Sequence, residues 1–370
     1  MEDTLYGNVR ATSISKELLV SVLRQLSLDA RELDVGSSVP MLEHPPSALQ
    51  FCREYVGPNR PVLVRGAVSE WPALTLWNEE YLIRALGPTP LTISTTPNGR
   101  ADALVPGPDG SALDPDTGNP VFALPMESKV DIATFYQCLR RRDGASPVPY
   151  LQYQNSSLSV EAPQLLADVA LELGWASEAF GNQPEAVNLW VGDERSVTSW
   201  HRDPYENMYV VVRGAKRFHL LAPADGWRMA VRRAEVHCWE AAGPGPQTGL
   251  ELRPTGETTA WSSVTPPGTG RGEAGIEAVV SRAAEAPGPG APGANSDAPG
   301  HFADPFLPPP LEVEVGPGET LYLPAGWWHA VEQSPDTIAV NYWHDRHWGA
   351  GVAAATAVES LAVLAGLSEA

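Results

Sequence analysis

Three residues that are far apart in the sequence have the types and spacing of a metal site. His201 and Asp203 stand two positions apart, and His329 follows much later in the chain. In an extended strand the side chains alternate between two faces, so His201 and Asp203 would point to the same side. Two imidazoles and one carboxylate, with three open coordination positions opposite them, are the set that holds Fe(II) for oxygen chemistry. The spacing therefore predicts an iron site formed by His201, Asp203 and His329.

The third ligand of this site has two nearby competitors, His344 and His347. His329 is favoured because aromatic residues precede it and because Gly316-Pro-Gly318 is typical of a turn between two strands. Both alternatives stay open at this point.

Lys216 lies on a segment whose alternation directs it towards the interior. Gly214 favours a turn, and beyond it Lys216, Phe218 and Leu220 share one face of a strand. We interpret 207–220 as a hairpin with the lysine pointing into a barrel. A buried ammonium is costly unless an anion meets it. The far carboxylate of 2-oxoglutarate is such an anion, because its 2-keto acid end can chelate iron at two open positions and leave the third for O2. The alternative is a lysine that reaches solvent at the barrel rim.

Many short strands in the second half of the chain predict a mainly β fold. They are expected at 149–154, 186–192, 197–203, 207–213, 216–222, 311–315, 319–323 and 337–344. Their number and spacing are typical of a sandwich or a jelly-roll barrel. Flanking helices are expected at 12–35, 47–56, 78–86, 130–141 and 160–180, and residues 98–128 are expected to be rich in loops.

The chain is predicted to divide into an N-terminal helix (1–35), an α/β flanking region (36–147), a jelly-roll core (148–348) and a C-terminal helix (349–370). The last helix is a candidate for packing or for forming a homodimer. The core is interrupted at 241–300, where 12 Gly and 9 Pro occur in 60 residues. Such a composition is typical of disorder. We therefore expect a flexible, low-complexity insert that is dispensable for folding.

Charge and composition limit the kind of partner. Lys and Arg number 25 against 45 Asp and Glu, a net charge of −20. Such a surface repels phosphate backbones, so direct nucleic-acid binding is not expected, and it would attract a basic protein segment. No long apolar run and no apolar leader occur, so neither a membrane span nor a secretory signal is expected. Three widely spaced cysteines fit the reducing cytoplasm or nucleus.

Several motifs of this chain resemble those of the JmjC oxygenases. In the core they are Val197-Thr-Ser-Trp-His-Arg-Asp-Pro-Tyr-Glu-Asn207, Gly214-Ala-Lys216, Leu321-Tyr-Leu-Pro-Ala-Gly-Trp-Trp-His329 and Ala339-Val-Asn-Tyr-Trp343. Outside it they are Phe51-Cys-Arg-Glu-Tyr-Val-Gly-Pro-Asn-Arg-Pro61, Thr96-Pro-Asn-Gly-Arg-Ala-Asp102 and Val148-Pro-Tyr-Leu-Gln152. They look most like the JmjC-domain-containing protein 7 lysyl hydroxylases, relatives of the factor-inhibiting-HIF asparaginyl hydroxylases. The similarity covers roughly 36–235 and 310–365.

This resemblance implies a double-stranded β-helix core that uses Fe(II), 2-oxoglutarate and O2. It implies His201, Asp203 and His329 as iron ligands. It places Lys216, Thr198 and Tyr150 on the co-substrate carboxylate, and Asn207 and Asn341 as polar residues of the site. Thr198 stands three positions before His201, so it needs a bulge or bend in its strand to point inwards.

The resemblance further implies hydroxylation of a lysine side chain in a protein, with developmentally regulated GTP-binding proteins as the substrate type. Demethylation of histone methyl-lysine or arginine and proteolysis of histone tails stay as alternatives, as does a non-catalytic JmjC scaffold. Among candidates to restrain a lysine ammonium we count Glu206, Asp193 and Trp328. Four aromatic residues either wall the pocket or belong to the core: Trp200, Tyr205, Trp327 and Trp328.

Overall fold

The computed structural model describes residues 14–107, 120–144, 146–243, 249–266, 304, 306–347 and 349–369. No helix within these ranges is both long enough and apolar enough to cross a bilayer.

Eight α-helices surround the strands of the described chain. They are α1 (Lys16–Ala30), α2 (Ala48–Phe51), α3 (Ala73–Leu76), α4 (Glu79–Leu86), α5 (Ile132–Leu139), α6 (Ser157–Val160), α7 (Gly174–Phe180) and α8 (Ala350–Leu364). Polar caps explain where several of them begin. The Asp131 side chain accepts a hydrogen bond from the Thr134 backbone N–H at 2.7 Å and so starts α5.

Seventeen strands are described. They are β1 (Met41–Leu42), β2 (Val62–Val64), β3 (Leu91–Thr96), β4 (Ala103–Val105), β5 (Val121–Leu124), β6 (Met126–Val130), β7 (Val148–Tyr150), β8 (Ala186–Gly192), β9 (Thr198–His201), β10 (Tyr205–Arg213), β11 (Lys216–Leu221), β12 (Val231–Ala241), β13 (Leu250–Ser262), β14 (Leu311–Val315), β15 (Thr320–Leu323), β16 (Trp328–Gln333) and β17 (Thr337–Asp345).

Two sheets face each other and form the jelly-roll core. The larger one has the strand order β1-β2-β15-β10-β17-β8, and the smaller one has the order β14-β11-β16-β9. Apart from the parallel β1–β2 edge, their strands pair antiparallel. The predicted mainly β, jelly-roll fold with flanking helices is therefore confirmed.

Strand β10 illustrates that both faces of the larger sheet are apolar and buried. Tyr209 and Val211 point between the two sheets and pack in the same cluster as Phe218 of β11. Val210 and Val212 point the other way, into the cluster that the flanking helices cover. Because both faces are buried, β10 reads as a continuous apolar run rather than as an alternating strand.

The segment predicted as a hairpin at 207–220 is a corner of the jelly roll. Strand β10 belongs to the larger sheet and β11 to the smaller one, so the two do not pair. Gly214 makes the corner with φ of +70°, and a Cβ there would lie 2.7 Å from the Thr337 hydroxyl oxygen. The sequence correctly indicated the turn, but alternation alone could not show which strands are hydrogen-bonded neighbours.

A third sheet, in the order β13-β12-β5-β4, corrects the prediction for 241–300. Its longest strand pair joins Val231–Ala241 to Leu250–Ser262 in antiparallel register. Much of the first part of the predicted insert is therefore a regular strand, and residues 244–248 and 267–300 lie outside the described residues. Strands β4 and β5 also lie in the region that was expected to be rich in loops. The other predicted helices and strands are present, although 160–180 divides into α6, a 3-10 turn and α7.

Candidate active site

The three predicted iron ligands meet between β9 and β16 of the smaller sheet. His201 ends β9 and is the direct partner of His329 on β16, while Asp203 lies two residues beyond the end of β9. The Nε2 atom of His201 lies 3.9 Å from Asp203 Oδ1, and that of His329 lies 3.7 Å from Asp203 Oδ2. One nitrogen or oxygen atom from each residue lies within 4.8 Å of the others, so the three can hold one metal ion.

Backbone carbonyl groups fix the tautomer of both histidines. The Nδ1 atom of His201 lies 2.8 Å from the Ser199 carbonyl oxygen, and that of His329 lies 3.0 Å from the Trp327 carbonyl oxygen. A carbonyl oxygen only accepts, so each Nδ1 carries the proton and donates it. Each Nε2 lone pair is thereby free for a metal, as in most histidine metal sites.

Burial adjusts the charge of this triad. It lowers the pKa of His329 well below its ordinary value, so this ring is neutral at pH 7. Burial also raises the pKa of Asp203, because water is excluded from its carboxylate. A divalent cation between the three groups would favour the ionised carboxylate and the neutral imidazole. The donor set and its charges therefore fit Fe(II).

The two competing histidines lie elsewhere. The Nδ1 atom of His344 is 3.1 Å from Asn182 Oδ1, and its ring packs against Phe180 at 4.7 Å. The Nε2 atom of His347 is 3.2 Å from the Phe180 carbonyl oxygen. Neither lines the cavity described below.

A bulge in β9 gives Thr198 the orientation that its predicted role requires. Between the pairs His201–His329 and Thr198–Val331, β9 carries one residue more than β16. This extra residue changes the parity of the strand, so that Thr198 and His201 both line the same cavity despite their odd spacing.

Lys216 begins β11 and is almost fully buried, with 2% of its surface exposed. Its Nζ donates to the Tyr150 hydroxyl at 2.8 Å and lies between 5.4 and 5.6 Å from three aromatic ring centres. Burial lowers its pKa to about 7. No carboxylate of the described residues pairs with it, so two donors of the ammonium are left for an anion. Burial raises the pKa of Tyr150, which keeps its hydroxyl proton available for the same anion.

Asn207 and Asn341 lie side by side at the base of the cavity. Asn341 donates through Nδ2 to Asn207 Oδ1 at 3.0 Å, and both side chains are buried. All the predicted site residues, the triad together with Lys216, Thr198, Tyr150, Asn207 and Asn341, therefore line one cavity of about 920 Å³.

The structure decides between the two alternatives left open for the aromatic residues. Trp200, Trp327 and Trp328 are core residues, and neither they nor Tyr205 line the cavity. Its lining tryptophans are Trp190, Trp239, Trp261 and Trp343. The ring of Trp261 on β13 is parallel to that of His201, with centres 6.2 Å apart, and its Nε1 donates to Ser199 Oγ at 3.0 Å. Strand β13 thus completes the wall beside the metal ligands.

The carboxylates that face the cavity were also missed. Glu206 accepts a hydrogen bond from the Tyr322 hydroxyl at 2.8 Å, and the buried carboxylate of Asp193 forms an ion pair with Arg195, with Oδ2 2.7 Å from Nη2. Neither carboxylate is therefore free to restrain a substrate. Asp102, Glu127 and Glu240 line the cavity instead. The last two are exposed, and burial raises the pKa of Asp102 to about 6. Asp102 directly precedes β4, Glu127 lies in β6 and Glu240 lies in β12. None of these segments contains a residue of the triad, so the strand alternation that related His201 to Asp203 could not indicate these carboxylates.

This site and fold define the class of the protein. A cupin-like domain matches residues 47–349. The chain belongs to this cupin-like family of JmjC oxygenases, whose members use Fe(II) and 2-oxoglutarate.

Individual relatives are similar over nearly the whole chain. The Homo sapiens bifunctional peptidase and (3S)-lysyl hydroxylase JMJD7 is 34% identical, with 95% of this chain and 98% of that protein covered. The Arabidopsis thaliana lysine-specific demethylase JMJ32 is 33% identical, with 87% and 86% covered. The JmjC domain-containing protein E of Dictyostelium discoideum is 30% identical, with 89% and 90% covered.

Proposed function

We propose that this protein is an Fe(II)- and 2-oxoglutarate-dependent hydroxylase of a lysine side chain in a protein substrate. The observation that carries the proposal is one cavity with the His201-Asp203-His329 triad, the buried amine of Lys216 and a rim of carboxylates. Similarity to a relative named as a lysyl hydroxylase supports the same reaction.

Different residues of the cavity would bind the metal and the far carboxylate of the co-substrate. Fe(II), when bound with 2-oxoglutarate, supplies the activation of O2 that C–H hydroxylation needs. Lys216, with the hydroxyl groups of Tyr150 and Thr198, would bind the far carboxylate of the co-substrate. Leu220 of β11 pairs with His329, and Lys216 lies four residues before Leu220 on the same strand, a distance of about 13 Å along the strand. With its far carboxylate on Lys216, the co-substrate would have its 2-keto acid end directed towards the triad.

The carboxylate rim favours a cationic side chain. Asp102 lies beside the backbone of β9, since its carbonyl oxygen accepts from Ser199 Oγ at 2.6 Å. An ammonium at the cavity mouth would be attracted by Asp102, Glu127 and Glu240, while the aliphatic carbons of a lysine pass the tryptophans. A basic segment of a developmentally regulated GTP-binding protein is the substrate type that we infer from the resemblance.

Mass spectrometry of peptides tests this proposal. Basic peptides with plain lysine, and matched peptides with methylated lysine, are incubated with the protein, Fe(II) and 2-oxoglutarate. We expect a gain of about 16 Da on plain lysine, the mass of one oxygen atom, and no gain with Asp203→Ala. A loss of about 14 Da from methyl-lysine peptides, without a gain on plain lysine, would reject hydroxylation in favour of demethylation.

Demethylation is the second candidate because one similar relative is named a lysine-specific demethylase. Peptide cleavage, the other activity in the name of the human relative, would appear in the same spectra as shortened products.

A further inference from the structure

Glu206 is a carboxylate close to the metal ligands whose place in the fold is not explained by substrate binding. It lies on β10 three residues after Asp203, is half-buried and does not line the cavity. Its Oε2 atom accepts two hydrogen bonds, from the Tyr322 hydroxyl at 2.8 Å and from the backbone N–H of Ala325 at 3.1 Å. Burial raises the pKa of this carboxyl group, because a carboxylate is costly to remove from water, and the two hydrogen bonds offset part of that cost.

The bond from Ala325 connects Glu206 to a corner of the jelly roll. Residues 324–327, the β15–β16 corner, link β15 of the larger sheet to β16 of the smaller sheet. The next residue of this corner, Gly326, has φ of +83°, a conformation that favours glycine. Its backbone N–H donates to the carbonyl oxygen of Asp203 at 2.9 Å. Two successive N–H groups of the corner therefore bind the side chain of Glu206 and the backbone of Asp203.

This connection matters for Asp203 because strand pairing does not fix this ligand. His201 ends β9 and is paired with His329 on β16, so the two strands hold the backbones of both histidines. Asp203 instead lies in the short connection between β9 and β10, outside both strands. The hydrogen bond of its carbonyl oxygen leads to the corner that Glu206 binds.

We propose that Glu206 is a positioning residue of the metal site, which fixes Asp203 through the β15–β16 corner. By accepting from Ala325, Glu206 holds this corner where Gly326 reaches the Asp203 carbonyl oxygen. The side chain of Asp203 is thereby kept directed towards the Nε2 atoms of both histidines. The proposal rests on the metal site of the proposed function and involves neither the co-substrate nor the lysine substrate.

A double-mutant cycle on metal binding tests this role. Zn(II), which binds imidazole and carboxylate ligands, is titrated without 2-oxoglutarate and without peptide into the wild type, Glu206→Leu, Asp203→Ala and the double variant. Leucine cannot accept a hydrogen bond, so we expect Glu206→Leu to raise the dissociation constant about tenfold, as is typical when a residue that orients a metal ligand is lost. Once Asp203 is replaced, the same change should alter the constant by less than about twofold, because its effect is transmitted through that ligand.

Two control variants separate the hydrogen bond from charge and from general stability. Glu206→Gln removes the charge but keeps an oxygen that can accept from both donors, so the Zn(II) constant should stay within about twofold of the wild type. Tyr322→Phe removes the other donor to the same carboxylate. It should lower the temperature of unfolding but leave Zn(II) binding unchanged, because the bond from Ala325 remains. Hydrogen exchange in peptides that cover 323–327 should be faster in Glu206→Leu than in Glu206→Gln.

Three results would overturn the proposal. Wild-type Zn(II) affinity in Glu206→Leu would show that the corner holds Asp203 without this carboxylate. An equal loss with and without Asp203 would mean that the change disturbs the histidines or the whole fold. A loss in Glu206→Gln as large as in Glu206→Leu would assign the effect to charge rather than to the hydrogen bond.

A shorter side chain serves if Glu206→Leu does not fold. Glu206→Asp then takes its place in the cycle, because it withdraws the carboxylate from Ala325 without burying an apolar group, and unchanged affinity in that variant would also reject the proposal. Since no lysine peptide is present, these outcomes are independent of whether lysine is hydroxylated. A wild type that bound no Zn(II) would instead reject the metal site itself, and this proposal with it.

Discussion

His329 and His344 differ in surroundings rather than in residue type. His329 turns its Nε2 towards Asp203, whereas His344 packs against Phe180 and contacts Asn182. We expect His329→Ala to lose bound iron and turnover together while it stays folded. His344→Gln should keep one iron per chain, although replacing a buried ring lowers its stability. Iron content and thermal unfolding of both variants check this, and loss of iron only in His344→Gln would show that the third ligand is wrongly assigned.

The pKa of Lys216 predicts proton uptake when 2-oxoglutarate binds. In the free protein burial lowers this pKa to about 7, so at pH 8 the amine is mostly neutral. A bound carboxylate favours the ammonium and raises the pKa again. Calorimetry at pH 8 in two buffers with different heats of ionisation should therefore detect uptake of up to one proton, and at pH 6 much less. The same lowered pKa means that the free protein gains stability as the pH rises from about 7 towards 10.5, because the unfolded chain then binds more protons.

Lys216→Met is the control for this titration. It keeps an unbranched side chain but removes the charge, so it should abolish the uptake and weaken 2-oxoglutarate binding roughly tenfold or more. Proton uptake of the same size in Lys216→Met would assign the titration to another group.

At the scale of elements, the antiparallel pair of β12 and β13 connects the third sheet to the metal site. Trp261 of β13 packs on Phe122 of β5 with ring centres 4.6 Å apart and donates to Ser199 of β9. The Gly- and Pro-rich composition of 241–300 concealed this strand, because average content says nothing about the alternating residues within a short stretch.

Trp261→Ala should therefore damage both stability and substrate binding. Because this side chain is half-buried, the loss in the free energy of unfolding should be roughly 1–3 kcal/mol, below the range for fully buried tryptophan. Trp261→Phe should lose only about 1 kcal/mol, since it keeps the packing and removes the hydrogen bond to Ser199. Urea unfolding measures the stability, and the KM for the peptide should rise in the alanine variant while iron content stays constant. Unchanged stability and KM would show that β13 is no part of the cavity wall.

At the scale of the whole molecule, the net charge of −20 is distributed over the entire chain, whereas the carboxylates of Glu127 and Glu240 lie at the cavity. We expect the double change to Gln at these positions to raise the KM for a cationic peptide roughly twofold to tenfold, since exposed charge pairs contribute about 0.2–1 kcal/mol each. The effect should shrink at high salt, because ions screen exposed charges. The KM for 2-oxoglutarate should stay unchanged.

A matched variant separates local from general charge. Glu70→Gln removes an exposed carboxylate that lies before α3 and does not line the cavity. It should leave the KM for the peptide as it is, even when paired with a second such change. An equal rise in KM for the rim and the remote variants would show that the rim has no special role and that net charge alone attracts the peptide.

The sequence by itself determined the features that depend on local periodicity. The two-residue spacing of His201 and Asp203 indicated a common face, and the Lys216-Phe218-Leu220 alternation indicated a buried lysine, because neighbouring positions in a strand have fixed relative directions. The same periodicity, summed over many short strands, predicted a sandwich or a jelly-roll barrel, and the resemblance to the JmjC oxygenases implied the double-stranded β-helix. Even the bulge in β9 was implied by the odd spacing of Thr198 and His201, once both residues were expected in one site.

Only the tertiary structure decided which distant segments meet. The choice of His329 over His344 depends on β16 lying beside β9, a pairing between segments separated by the whole 241–300 stretch. In the same way, the carboxylates of Asp102, Glu127 and Glu240 reach one rim because separate sheets pack against the core. The carboxylates of Glu206 and Asp193 instead bind Tyr322 and Arg195, respectively. Contacts of this kind depend on the packing of complete sheets, and the residues next to each of these positions carry no local pattern that specifies them.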